Sequence, residues 1–390
     1  MAAVVVIAFW VLALLALGLA SAQLATAWRV RGFHRPIDSD VPTERPPLSL
    51  LVPLKGAAPG LRGRLERALA ALRPGDELLL AVETTDDPAH AVGAALRAAH
   101  PTRRVSVVLS GPSGTRMGQQ HNLAAALPHA THELVAFMDD DVELEGPVLD
   151  EGARIAGAPG AGAAFALPYV AGRGPLGGGI VAAYTNYAFS PAMGALALQG
   201  APKFLVGGLW VVARRALAAA GGLEAHTQTV SDDAALGRAL HAAGFRNRAL
   251  RRPVRLAHEP LDLAGGVRQL LTWLTLLRAE GAALYLVVAL AWNPLAIGLA
   301  AGLVGWAAPA LPAATAAAAV GLVALARVLA VLALDRTVYR ALPRGRYLAT
   351  ALLYEALLAP WLFLAAAGRR EVVWRGRRYR IGRGGAIVDR

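Results

Sequence analysis

The stretch that most limits what this chain can fold into is its first. Ala2 to Ala27 carries no charge and is interrupted only by Ser21, Gln23 and Thr26. About 20 apolar residues suffice to cross the hydrocarbon of a bilayer, and a backbone in lipid must satisfy its own hydrogen bonds, which leaves a helix. Arg29, Arg31, His34 and Arg35 follow directly, and this positive flank places the next domain in the cytoplasm. A cleaved signal peptide is the alternative, but no positive charge precedes the apolar run.

Composition agrees with a membrane protein that has one mid-sized polar domain. Of 390 residues, 56% are hydrophobic and only 17% charged, with mean hydropathy +0.45, too apolar for an ordinary soluble enzyme. The formal net charge is +12. The arginines gather beside apolar segments, where topology and anionic lipid explain them, and no aromatic-basic surface pattern argues for nucleic acid. There is no cysteine, so disulfides, thiolate catalysis and cysteine-held metals are excluded.

Towards the C-terminus, Leu284 to Val304 and Ala313 to Leu334 read as an apolar helical hairpin. Leu348 to Ala367, interrupted by Glu355 and Pro360, is a further span or an interfacial segment: a crossing there carries the arginine-rich tail outside, against the charge bias. Val267 to Leu277 suits an amphipathic helix on a membrane face, or a lid helix with an apolar side. Ile180 to Leu198 suits a core helix or a partly embedded one. The expected partition is an N-terminal transmembrane helix (1–28), a linker (29–47), a cytosolic domain (48–265), an interfacial helix (266–282), a membrane region of two or three helices (283–367) and a basic tail lying on the membrane surface (368–390). The linker is Pro-rich and charged from Arg35 to Pro47.

Between these segments the pattern changes. Leu48 to Leu54, Glu77 to Val82, Arg104 to Leu109 and Glu133 to Met138 read as strands, separated by helical stretches from Leu61, Ala89 and His121. This alternation predicts an α/β domain with a mostly parallel sheet, whose loop residues collect on one edge. The fourth strand ends in Asp139-Asp140-Asp141. Ligands sit at that edge in open α/β sheets, and carboxylates there suit a hard divalent cation bridging phosphate oxygens; a solvated acidic turn is the plain alternative.

Other candidates stand at matching places. Lys55 follows the first strand, and Glu83 to Asp87 follow the second. Gly207-Gly208 permits close backbone approach. Val230-Ser231-Asp232-Asp233 opens a helix, where Ser231 or the aspartates could serve as caps. His258-Glu259 is placed to line a pocket, although a lone histidine is more often structural.

These residues resemble a membrane-bound family 2 type glycosyltransferase, and within that group the ceramide glucosyltransferase family, with related bacterial hopanoid-associated lipid glycosyltransferases. The resemblance runs from about Leu48 to Arg278 through Pro53-Leu54-Lys55-Gly56, Asp87-Pro88-Ala89, Asn122-Leu123, Leu167-Pro168-Tyr169-Val170-Ala171, Gly207-Gly208, Ala220-Gly221-Gly222-Leu223 and Asp232-Asp233. It implies a GT-A type nucleotide-sugar-binding domain on the cytosolic face of the plasma or inner membrane. It further implies that the Glu83 to Asp87 loop contacts the nucleotide and that the acidic triplet binds metal and diphosphate. Asp233 would supply the catalytic base, with Asp232 in place of the commoner Glu before it. A membrane-proximal Gln/Arg-x-x-Arg-Trp motif falls on Gln269 to Trp273, with Thr272 where Arg is expected. Arg268, Arg278 or the tail arginines could compensate.

On this reading Asp139 and Asp141 hold Mg2+ or Mn2+, while Asp140 could point away as a supporting or capping group, the triplet having two possible registers of pairing. Lys55, Glu83, Asp87, Asp139, Gln269 and Trp273 contact the donor, and Asp233, with Asp232 beside it, takes the acceptor proton. The expected reaction is inverting transfer of glucose or N-acetylglucosamine from a UDP-sugar to the hydroxyl of a membrane lipid. A bilayer-retained acceptor explains why several apolar segments accompany a domain whose donor is water-soluble. No protein partner is implied. The alternatives are a processive polysaccharide synthase, which would need more pore-forming helices, and a nucleotide-sugar-binding protein that has lost turnover.

Overall fold

The computed structural model describes residues 2–33, 45–171, 176–257 and 260–388. The chain folds into two compact units that interleave in sequence. One comprises Met1–Gly32, Gly172–Ala195 and Pro260–Arg370; the other comprises Phe33–Ala171, Leu196–Glu259 and Glu371–Arg390. The partition differs from the expected one in two places. Residues 172–195 belong with the apolar helices, and residues 371–390 fold with the α/β unit instead of forming a separate surface tail. Most of the Pro-rich linker, and His258-Glu259, lie outside the described residues.

The α/β unit is built on a seven-stranded sheet. Its strands are β1 (Leu48–Pro53), β2 (Glu77–Val82), β3 (Arg104–Leu109), β4 (Leu134–Met138), β6 (Ala161–Phe165), β8 (Leu209–Ala213) and β9 (Arg246–Ala249), in the order β3-β2-β1-β4-β8-β6-β9. A small second sheet joins β5 (Val142–Glu143), β10 (Val254–Leu256) and β7 (Pro168–Val170). β11 (Glu371–Trp374) and β12 (Arg377–Arg380) form a hairpin.

Strands β1, β2 and β4 are buried at every position, which explains their unbroken apolar runs: both faces are covered. The pairs β3-β2, β2-β1, β1-β4 and β6-β9 are parallel, whereas β8 runs antiparallel between β4 and β6. β1 therefore has β2 on one side and β4 on the other. That reversal of direction opens a crevice at the carboxyl ends of β1 and β4, where ligands bind in open sheets. The antiparallel β8 starts beside the end of β4, with Met138 opposite Leu209 and Phe137 stacked on Trp210 at 4.0 Å.

A buried ion pair ties the entry of this unit to its sheet. Arg45 meets Asp76 at 2.7 Å and Asp150 at 2.6 Å, and the Arg45 and Asp76 side chains are almost wholly buried. Asp76 also accepts from the backbone N–H groups of Leu48 (2.9 Å) and Arg73 (2.7 Å). Burial by itself would raise the Asp76 pKa, but Arg45 and the two N–H groups outweigh it and hold the carboxyl below its ordinary value.

Among the described residues of the apolar unit, three helices are long and apolar enough to cross a membrane: Ala2–Gly32, Ala313–Thr337 and Leu348–Ala367. The expected span 284–304 is broken. Ala282–Ala291 and Pro294–Trp306 meet at 68°, because Pro294 supplies no N–H and disfavours helical geometry at Asn293. Asn293 turns its side-chain amide back to Ala289 O at 2.6 Å. Glu355, which interrupts the third apolar run in sequence, satisfies the break: it accepts from Leu295 N at 2.8 Å and pairs with Arg327 at 2.7 Å, both side chains being buried. The expected amphipathic helix is longer, Leu263–Ala279, and is capped by Asp262, which accepts from Gly265 N at 2.6 Å. It packs inside the unit on the helix Leu176–Tyr184, where a Cβ on Gly177 or Gly266 would clash with the facing backbone.

Removing one member of a buried pair strands its partner, at a cost of ~3–5 kcal/mol. Asp76→Asn is therefore expected to lower the stability of the α/β unit at neutral pH by roughly 3 kcal/mol. A depressed folded-state pKa stabilises above the unfolded value and is lost as pH falls through the folded one. The gap between wild type and Asp76→Asn should accordingly close below about pH 4, as read by thermal unfolding across pH. Glu355→Leu should lower the unfolding midpoint of the detergent-purified protein at all these pH values.

Candidate active site

The three acidic positions expected from the sequence lie in the α/β unit. Asp139 follows β4 directly, and its N–H donates to Gly208 O at 2.9 Å, so β8's leading turn is stitched to the end of β4. Gly208 has φ +110°, a conformation open to glycine. Beside it, Gly207 N donates to Asp233 Oδ2 at 2.8 Å. A Cβ on Gly207 would lie 3.6 Å from Asp233 Oδ2 and 3.9 Å from Asp139 Oδ2. The second and third acidic sites thus converge over one glycine whose missing side chain leaves room between them.

Asp232 and Asp233 occupy the first turn of the helix Asp232–Ala242. Ser231 is the N-cap but its side chain makes no capping bond, contrary to one expectation. Asp233 Oδ1 accepts from Ala234 N at 2.7 Å, so this carboxylate is oriented by backbone N–H groups through both oxygens. Asp87 does behave as a cap: its Oδ1 accepts from Ala89 N at 2.9 Å and from Gly56 N at 2.8 Å, tying the loop after β1 to the loop after β2. Glu83 pairs with Arg377 at 2.7 Å and accepts from Ser113 Oγ at 3.1 Å.

Two residues passed over in the sequence join the acidic sites. The helix expected from His121 begins at Gly118, and its first turn presents Gln119 and Gln120. Gln119 Nε2 donates to Asp139 Oδ1 at 2.7 Å, and Gln120 Nε2 donates to Asp232 Oδ2. Two consecutive amides ahead of an apolar run were the available signal. Asn122 is structural: it accepts from Ser110 Oγ at 2.6 Å and donates to Leu54 O at 3.2 Å.

Within the triplet the roles divide. The Asp140 side chain is buried and pairs with Arg375 at 2.5 Å, while its carbonyl accepts from Arg64 Nε at 2.6 Å. Asp141 O accepts from Ala257 N at 2.8 Å, which joins the triplet to β10. Burial, followed by the charges of Asp141, Asp232 and Asp140, raises the Asp139 pKa well above its ordinary value. Burial and then Asp233 push Asp232 up to about 7.

This crowding bears on a cation. Among the described residues no three His, Cys, Asp or Glu side chains come together closely enough to hold a metal by themselves. Mg2+-like ions are commonly held by one or two carboxylates with substrate phosphates and water completing the shell. The oxygen-only donors, the mutual repulsion centred on Asp139 and the space over Gly207 fit such an ion.

Gln269 and Trp273 lie in the apolar unit, on the helix Leu263–Ala279. Trp273 stands 5.7 Å from the Tyr184 ring. Thr272 is buried and turns its hydroxyl to Arg268 O at 3.0 Å, so the residue where Arg was expected closes on its own helix.

A mostly parallel sheet with carboxylates at the β1/β4 crevice is the arrangement of a GT-A-like fold. The structure is similar to a mannosyltransferase from Pyrobaculum calidifontis in complex with GDP-Man and Mn2+, with a TM-score of 0.53 and 21% identity over 89% of this chain and 99% of that one. Glucosyl-3-phosphoglycerate synthase from Mycobacterium tuberculosis is more remote, with a TM-score of 0.34 and 15% identity over 66% of this chain and 80% of that one. The profile of glycosyl transferase family 21 matches residues 8–387. The chain belongs to that family, the ceramide-glucosyltransferase-like family.

Gly207→Ala tests the space between the acids. The added Cβ would make ordinary van der Waals contacts, so folding and the unfolding midpoint should be unchanged. Mn2+ affinity in the presence of UDP should fall by at least ~10-fold, the scale of losing one carboxylate's support.

Proposed function

We propose that this protein transfers a hexose, glucose or N-acetylglucosamine, from a UDP-sugar to the hydroxyl of a membrane lipid such as ceramide or a hopanoid or sterol-like lipid, with inversion at the anomeric carbon. The convergence of the Asp139 and Asp233 carboxylates over Gly207 carries this reading. The similar mannosyltransferase was captured with GDP-Man and Mn2+, which supports a nucleotide-sugar donor.

In this reading Asp139 and Asp141 hold Mg2+ or Mn2+, and the Lys55 loop, Glu83 and Asp87 border the nucleotide. When bound, the ion would neutralise charge developing on the leaving diphosphate. Gln119 fixes Asp139 through Oδ1 and leaves Oδ2 towards the space over Gly207. Asp233, oriented by Gly207 N and Ala234 N, accepts the acceptor's hydroxyl proton. The acceptor oxygen forms the new bond to the anomeric carbon, and the bond to the diphosphate breaks with its electron pair leaving on UDP. One base and direct displacement invert an α-linked donor to a β-glycoside. Asp232, secured by Gln120, stands next to the base. Gln269 and Trp273 are assigned to the acceptor and diphosphate end.

The three membrane-length helices among the described residues support a lipid acceptor, and the arginines after the first helix support a cytoplasmic α/β unit on the inner or plasma membrane.

Detergent-purified protein given UDP-glucose or UDP-N-acetylglucosamine, Mn2+ and a bacterial lipid extract or ceramide should yield one sugar on one lipid class by mass analysis. Asp233→Asn should reduce turnover by ~10²–10⁴-fold, the range of general-base catalysis, with UDP affinity retained. Absence of transfer to every lipid, or full activity in Asp233→Asn, would overturn the reading.

A further inference from the structure

The C-terminal segment expected on the membrane surface instead touches two of the three acidic sites of the α/β unit and the residues that lead into the third. Strands β11 and β12 pair from Glu371–Arg380 to Trp374–Arg377, leaving a two-residue turn, Arg375-Gly376, with φ of 47° and 79°. Val372 and Tyr379 face inward as a cross-strand pair and are buried. Arg377 then reaches Glu83 (2.7 Å) and Ser113. The turn brings Arg375 to Asp140 at 2.5 Å and to Lys55 O at 3.4 Å. Beyond the hairpin, Gly385 O accepts from Val230 N at 2.9 Å and Ile387 N donates to Gln228 O at 2.8 Å; Gly385 approaches Ser231 so closely that a Cβ would clash. One short segment is thereby fastened to the loops after β1, β2 and β4 and to the residues just before Asp232-Asp233.

We infer that this hairpin is part of the donor site, and that Arg375 is its diphosphate-binding cation. The inference rests on the proposed nucleotide-sugar reading and deepens it. Three observations point the same way. Arg375 is the only non-glycine residue with positive φ among the described residues; a bulky side chain in that region is disfavoured and such residues concentrate at functional sites. Its guanidinium stands at the β1/β4 crevice yet its side chain is 45% exposed, so donors remain accessible to a ligand. A guanidinium presents five N–H donors in a planar fork that matches phosphate oxygens. Thr272, closed on its own helix, offers no such cation. The buried Asp140 carboxylate anchors the arginine, and a nucleoside diphosphate entering the crevice meets positive charge from the tail as well as from any ion held by the acids.

The turn supplies a clean variant. Two-residue turns with positive φ at both positions favour Asn-Gly above other pairs, so Arg375→Asn should preserve the turn itself while deleting the cation and leaving Asp140 unpaired. Titrations of detergent-purified full-length protein with UDP, GDP and uridine, with and without Mn2+, are compared for wild type, Arg375→Asn, Arg375→Lys and the exposed Arg378→Asn, alongside thermal unfolding. Arg375→Asn should weaken nucleoside diphosphate binding by ~10-fold or more, the scale of one charge-assisted hydrogen bond. Its uridine affinity should not fall, its unfolding midpoint should drop because buried Asp140 loses its partner, Arg375→Lys should recover part of both losses, and Arg378→Asn should match wild type. Unchanged diphosphate affinity in Arg375→Asn, or an equal loss for uridine, would overturn the inference while leaving the donor reading intact. Wild type that binds neither UDP nor GDP would overturn the donor reading, and this inference with it.

Discussion

Like-charge crowding at one sheet edge is the constraint on which the α/β unit depends. Asp139, Asp140, Asp141, Asp232 and Asp233 are drawn together at the end of β4 and the start of one helix, in surroundings that raise Asp139 and Asp232 above ordinary carboxylates. Concentrated charge of one sign is costly to fold. Each acid that is not left to the cleft has a dedicated partner: Gln119 for Asp139, Gln120 for Asp232, Arg375 for Asp140 and backbone N–H groups for Asp233. The repulsion that remains is what a divalent cation and a diphosphate recognition site can use.

Sheet topology makes the crowding possible. Parallel β1, β2 and β4 deliver their following loops to one side, and antiparallel β8 returns its leading glycines to the same place. Gly207 then separates the carboxylates of two distant segments by little more than the space of a methyl group. The apolar unit meets a comparable problem differently. Its polar groups are few, and the acids that break its apolar runs are matched, Glu355 to Leu295 N and Arg327, and Asp335 to Tyr187 and Gly345 N. Lipid supplies no alternative partners, so these pairings allow an acid within a spanning helix.

Strands β1, β2, β3 and β4 lie within one residue of where alternation of apolar runs and turns placed them, and the three acidic sites were visible because strand ends in a parallel sheet share an edge. The break at Asn293-Pro294 was not read, although proline cannot continue the backbone ladder, because overall hydropathy hid it within a single apolar run. Gln119 and Gln120 were hidden because an amide in a helix's first turn has no hydrophobic period, and its role exists only once the facing acid is in place. The tail was misread for a related reason. Seven of its residues from Arg369 to Arg383 are arginines, a composition that suits a lipid surface, while the inward pair Val372 and Tyr379 gives too short an alternation to announce a hairpin.

The sequence by itself determined the alternation that makes a parallel sheet, the acidic strand end, and the apolar lengths that suit a bilayer, because each is a local property of chain stiffness, side-chain period or desolvation. Only the tertiary structure decided which acids meet, which amides hold them, that Glu355 closes the broken helix, and that the arginine tail packs against the acidic edge of the sheet. Those depend on contacts between residues far apart in the chain, as Arg375 and Asp140 are, and no local pattern encodes which distant charge a side chain will face.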